Sequence, residues 1–178
     1  MSVRGNARLY STRAIALHWI TAVGIVAALG TGFAADFAIG PEKAGLLTVH
    51  VPLAFAVIAI TLCRIGLRFV DTRPPHVAGM PRWQAFAASA VHALLYVAIL
   101  LLGSSGIGLM ILSGAAAVLF FGTSGPLPDF KTFTPFYVHG TTATILIALV
   151  CVHVLAALYH QFVVKDRLLA RMGLGRVG

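Results

Sequence analysis

Four histidines, His18, His50, His139 and His153, stand inside long apolar stretches of the chain. An ionisable side chain at membrane depth is costly and rare, so it marks a functional site by default. Neutral imidazole is also the ordinary axial ligand of haem iron. Four imidazoles are the number that would hold two haems with two histidines each, which points to electron transfer across a membrane.

The same residues fit other metals less well. A zinc or di-iron site in a helical bundle calls for carboxylates or cysteines beside histidine at short spacing. Here Asp36, Glu42, Asp71, Asp129 and Asp166 all fall at the ends of the apolar stretches or in loops. Bis-histidine haem needs only two neutral ligands on opposite faces of a flat, largely apolar macrocycle. Gly24, Gly66, Gly103, Gly106 and Gly108 could make room for it, although close helix packing in a membrane draws on glycine equally.

The elements that must position these rings follow from composition. Of 178 residues, 59% are hydrophobic and 10% charged, which places the chain in the membrane class. The net charge of +8 lies between apolar stretches, so it reads as topology and not as a nucleic-acid surface. A span takes about 20 apolar residues, and four are expected over residues 14–34, 46–69, 85–112 and 136–164. Together they make an all-α, four-helix transmembrane bundle forming a single domain over residues 1–178. The apolar run 115–121 is too short to cross and should lie at the outer interface or fold back. Gly40-Pro41, Pro74-Pro75, Pro81, Gly125-Pro126, Pro128 and Pro135 stand at the breaks. The residues up to Arg13 do not read as a cleaved leader. Cys63 and Cys151, without a CxxC spacing, are expected to be small buried hydrophobes.

Basic residues set the orientation. Arg4, Arg8 and Arg13 precede the first span; Arg64, Arg68, Arg73 and Arg82 lie between the second and third; Lys165, Arg167, Arg171 and Arg176 follow the fourth. Only Lys43 and Lys131 belong to the other two loops. The positive-inside rule then predicts both termini in the cytoplasm. His18 falls near the inner face, and His50 and His139 near the outer face. His153 is 14 residues beyond His139, roughly 21 Å along a helix and on nearly the same side of it. The outer ring His139 can pair with His50, and the inner ring His153 with His18. His160, seven residues further on, matches His18 in depth as well; spacing favours His153 because His160 can snorkel toward the interface beside Lys165.

Secondary candidates cluster at the inner end. Arg64 and Arg68, one turn apart, and Arg13 could bind haem propionates, since guanidinium forks suit carboxylates; they could equally be topological arginines. His92 could accept a proton or hydrogen bond beside a quinone, or simply bond a backbone carbonyl or a propionate. His160 has the same quinone reading. His76 should be exposed in its loop. Trp19, Tyr96 and Trp83 fit an interfacial belt. The outer loop 122–137, with Lys131, could guide a soluble donor or an anion.

Taken together, Leu17-His18-Trp19, His50 opening the second span, Arg64-x-x-x-Arg68 closing it, His92-x-x-x-Tyr96 in the third, and His139 and His153 in the fourth resemble the prokaryotic cytochrome b561 family. The resemblance runs from Tyr10 to Arg171. It implies a diheme cytochrome b in the bacterial inner membrane, related to the cytochrome b subunits of some hydrogenases. It also implies that His18 and His153 ligate one haem b and His50 and His139 the other, which selects His153 over His160. Gly103 stands where family members often carry a proline before Gly106, and Gly140 where a glutamate is common after His139. The family includes superoxide oxidases, so the expected function is oxidoreduction between an outer donor, superoxide or similar, and ubiquinone. The alternative is an electron-transfer subunit of a partner dehydrogenase or hydrogenase, and a proton-relaying transporter is disfavoured by the lack of acids within the spans.

Overall fold

The structure is a computed structural model that describes residues 9–71, 74 and 79–175. Arg4, Arg8, Arg73, His76 and Arg176 lie outside the described residues. Helix α1 spans Thr12–Phe37, α2 Gly40–Val70, α3 Arg82–Ser113, α4 Ala115–Phe120 and α5 Thr134–Tyr159. A π-helical turn, His160–Val164, continues α5, and a 3₁₀ turn, Leu168–Met172, follows it. No strand occurs among the described residues.

Each long helix overruns the apolar stretch expected for it by a few residues, because polar caps and turn residues extend it into the interface. Ser11 caps α1 by accepting from the Ala14 amide. Pro41 occupies the first turn of α2, where its missing N–H costs nothing. The break expected at Gly40-Pro41 is therefore the start of a helix, only two residues after α1 ends. Pro52 lies inside α2, where it removes one backbone bond two residues past His50. Helix α3 runs through Gly103 and Gly106 without interruption.

Among the described residues four helices are long and apolar enough to cross a membrane: α1, α2, α3 and α5 with its π turn. Their outward faces carry Val23, Val26, Phe69, Phe86, Val97 and Leu155, all exposed. This is the side presented to lipid, where apolar surface is the expected covering. Cys63 and Cys151 also face outward, unpaired. The expectation that they would be buried is corrected: in a bundle with lipid around it, an apolar residue gains little by turning inward.

The bundle consists of two hairpins. Helix α1 packs along α2 and α3 along α5, far more extensively than the two hairpins touch one another. Where they meet, Ile25, Val57, Ala98, Ile99 and Leu146 form an apolar layer at mid-height. Glycines allow close approach both between and within the hairpins: a Cβ on Gly103 of α3 would stand 2.5 Å from Ile58 Cδ1 of α2, and one on Gly24 of α1 2.8 Å from Val57 Cγ2 of α2. For these two positions close packing is what the glycine serves.

Gly114 reverses the chain at the end of α3 with φ +70°, a left-handed conformation that glycine adopts freely. Helix α4 thereby folds back onto α2 and α3 and does not cross. Its Ala115 packs with Leu109 and Phe130 in a second apolar cluster at that end of the bundle. At the opposite end the start of α1 meets the last 3₁₀ turn. The Tyr10 amide donates to the Arg171 carbonyl at 3.4 Å, and the Trp19 indole donates to the Met172 carbonyl at 2.9 Å. Asp71, ending α2, receives the Ser11 hydroxyl and the Arg13 guanidinium. An exposed ion pair such as Arg13–Asp71 adds little stability; its role is to tie α1 to α2. Arg13, a candidate for an anionic ligand, is thus engaged within the protein.

Replacing Gly103 by Val should cost about 1–3 kcal/mol through overpacking against Ile58. Gly66→Ala, where an added Cβ meets nothing within 4 Å, should cost nothing. Thermal unfolding of the two variants in detergent makes the comparison.

Candidate functional site

The sequence candidates gather along the seam between the hairpins. His18 comes from α1 and His153 from α5; their ring centres lie 6.1 Å apart. His50 comes from α2 and His139 from α5; their ring centres lie 6.2 Å apart. Each pair therefore takes one ring from each hairpin. The pairs sit in opposite halves of the bundle, with the apolar layer around Val57 and Leu146 between them.

The pair His50–His139 lies at the end away from the termini, beside a cavity of about 240 Å³. Its walls are almost wholly apolar, with Asp36 and Lys43 toward the mouth. Both rings are held in the same way. His50 Nδ1 is 3.0 Å from the Ala28 carbonyl and 3.3 Å from Thr31 Oγ1. His139 Nδ1 is 3.1 Å from the Leu102 carbonyl and 3.1 Å from Ser105 Oγ. A carbonyl can only accept, so each Nδ1 carries the proton and each Nε2 keeps its lone pair. The next residue in each case is a glycine that lets the ring approach. A Cβ on Gly32 would be 3.0 Å from His50 Cε1, and one on Gly106 3.3 Å from His139 Cε1. Thr31-Gly32 on α1 and Ser105-Gly106 on α3 are thus equivalent docks, one for each ring. Gly106 was among the glycines singled out from sequence, whereas Gly32, Thr31 and Ser105 were not.

The pair His18–His153 lies toward the termini and is surrounded by more polar groups. Arg64 donates to His18 Nδ1 at 3.1 Å. The guanidiniums of Arg64 and Arg68 lie 5.6 and 5.5 Å from the centre of the Tyr96 ring. His92 stands 5.1 Å, ring centre to ring centre, from His153. Its Nδ1 is 2.6 Å from the Ala88 carbonyl, so a backbone partner is present. Thr21 and Thr61, in the same half, are completely buried. The Thr21 hydroxyl donates to the Leu17 carbonyl at 2.6 Å, while Thr61 Oγ1 has no partner among the described residues.

The seven-residue spacing had left His160 open as a rival to His153. The structure brings His153, not His160, against His18. His160 Nδ1 instead lies 2.5 Å from Asp166 Oδ2, both side chains being largely buried. Asp166 reaches back because Lys165, which ends the π turn, adopts left-handed backbone with φ of 60°; Arg167 does so too, with φ of 58°, and turns the chain into the last 3₁₀ turn. Such conformations are uncommon outside glycine. In the opposite loop Lys131 is exposed, while Lys43 lies 6.0 Å from the Phe130 ring centre.

A multi-pass helical membrane protein with paired imidazoles along an internal seam belongs to the electron-transfer class. The comparisons specify it further: residues 9–175 match the family model for prokaryotic cytochrome b561, and the chain belongs to that family. It is 31% identical over 169 residues to cytochrome b561 homolog 1 of Escherichia coli K12, covering 92% of this chain and 96% of that protein. Cytochrome b562 of Cereibacter sphaeroides is 34% identical over 124 residues, 70% of this chain and 65% of the relative. A probable superoxide oxidase of Yersinia pestis is 25% identical over 167 residues, 92% and 94% of the two chains. The protein is accordingly a membrane electron-transfer protein of a haem b-binding family.

Asp166→Asn should remove a charge-assisted hydrogen bond from a largely buried pair, at a cost of about 1.5–3 kcal/mol. Faster amide exchange confined to residues 160–172 is the expected readout.

Proposed function

We propose that this protein is a diheme cytochrome b of the bacterial inner membrane, with both termini cytoplasmic, that takes electrons from superoxide or a similar outer donor to ubiquinone. The observation that carries the reading is the pair of imidazole pairs, each drawing one ring from either hairpin. Two imidazoles held against opposite sides of one metal ion, at about 2.0–2.1 Å per bond, would have ring centres roughly 6 Å apart. The separations of 6.1 and 6.2 Å fit that requirement. The outer pair fits in a second respect: a ligating histidine typically gives its other N–H to a carbonyl, as His50 and His139 do. The inner pair fits with one adjustment. Iron at His18 Nε2 would put the proton on Nδ1, so Arg64 would release the ring. Its fork would then be free, with Arg68 beside Tyr96, for the carboxylates of the macrocycle.

Bound between the rings, haem would supply reversible one-electron storage at two depths of the membrane. The chain's own residues do the rest. They fix the imidazole orientations, keep the mid-height layer apolar and dry, and set the charge at either end. Lys43 at the outer cavity is the cation nearest a small anionic donor. Two superoxide ions lose one electron each and leave as dioxygen; ubiquinone gains those two electrons and two protons to become the quinol. At the inner end His160, hydrogen-bonded through Nδ1 to Asp166, keeps Nε2 for contact with the quinone. His92 stands beside the inner pair as a second contact. The kinship with a probable superoxide oxidase supports this donor. A subunit of a larger dehydrogenase would instead co-purify with its catalytic partner and reduce no quinone alone.

The purified chain should contain two low-spin haems b and should couple superoxide loss to ubiquinone reduction at two to one. His18→Ala and His153→Ala should each lose the inner haem and keep the outer one. His50→Ala and His139→Ala should do the reverse. Full haem content in all four variants would sink the ligand assignment.

A further inference from the structure

We propose that Thr31 and Ser105 are matched positioning residues that set the basicity of His50 and His139, and with it the reduction potential of the outer haem. The inference rests on the reading of those two histidines as ligands. It starts from a duplication in the hydrogen bonding. Thr31 Oγ1 donates within its own helix, to the Ala27 or Ala28 carbonyl at 2.9 and 3.1 Å, and Ser105 Oγ likewise to the Leu101 or Leu102 carbonyl at 2.7 and 3.0 Å. A hydroxyl has one proton. With that proton pointed down its own helix, each oxygen can only accept toward the ring, at 3.3 Å for His50 and 3.1 Å for His139.

Each Nδ1–H therefore faces two acceptors: the hydroxyl, and the carbonyl three residues before it, Ala28 or Leu102. The same offsets recur on two helices from different hairpins, and the glycine after each hydroxyl permits the contact. Two acceptors on one N–H draw the proton off the ring and enrich the electron density at Nε2. A more basic ligand favours the ferric over the ferrous state, so the arrangement holds the potential down. Ser105 is buried and its contact is the shorter, so it should contribute more than Thr31. The inner pair lacks this device among the described residues, since His18 Nδ1 meets the donor Arg64.

The test is a potentiometric titration of the full-length, haem-loaded protein, followed optically. The outer haem is identified as the one lost in His50→Ala. Thr31→Val and Ser105→Ala remove the hydroxyls; Thr31→Ser and Ser105→Thr retain them. Ser105→Ala, and more so the double Val/Ala variant, should keep both haems and titrate the outer one at higher potential. A change of about three- to tenfold in the oxidised-to-reduced ratio is expected, tenfold being 59 mV for one electron. The inner haem should not move, and the hydroxyl-retaining variants should titrate as the parent does. Loss of the outer haem from the double variant alone, with retention in Thr31→Ser and Ser105→Thr, would equally support a positioning role. An unmoved outer potential in the double variant would overturn the proposal, as would equal shifts in the hydroxyl-retaining variants. Failure of the ligand reading is seen separately, as both haems persisting in His50→Ala.

Discussion

An imidazole inside hydrocarbon must find its hydrogen-bonding partners within the protein, and the bundle is arranged around that requirement. In water any ring orientation would be satisfied by solvent. In a membrane the N–H of His50 has only what α1 offers, and that of His139 only what α3 offers. Regular helices have already committed their carbonyls, so a ring must borrow one at close range. That explains the glycines beside the rings and the hydroxyls one residue before them. It also explains why His50 and His139 each dock onto the other helix of their own hairpin. The hairpins are tight because they supply these partners; the seam between them is open because the rings face across it.

The two ends of the seam meet the same requirement with different chemistry. At the end away from α1's start His50 and His139 lean on neutral groups, carbonyls and hydroxyls, beside an apolar cavity. At the other end a guanidinium meets His18, a second guanidinium shares Tyr96, and a third imidazole stands against His153. The separation of 5.1 Å between His92 and His153, with the rings edge to face, suits their direct contact. The charged groups concentrate where the basic loops and the termini lie, close to headgroups and water. Deep charge is avoided in the mid-height layer, which is wholly aliphatic.

Much of this was legible in the sequence because helical periodicity is a strong signal over long spans. The four spans, the face shared by His139 and His153, and the company of His18 and His50 all follow from counting residues. What counting missed depends on other helices or on irregular backbone. Thr31, Gly32 and Ser105 carry no signature until α1 and α3 are set beside the rings. Asp166 reads as an acid at a helix end, because nothing in the periodicity indicates that left-handed backbone at Lys165 returns it to His160. The cysteines were assigned inward by a rule learned from soluble cores, where water and not lipid lies outside.

The placement of the rings along the chain has a consequence for the order in which the molecule can be made. His18 and His50 lie on the first hairpin to emerge, and both their partners lie on α5, the last long helix. Before α5 inserts, each early ring can dock on its own hairpin or stay idle, but neither has anything opposite. Both pairs are completed by one event, the arrival of a single helix. A molecule held between the rings can be captured only then, so the final insertion step is also the point at which an empty chain and a loaded one diverge.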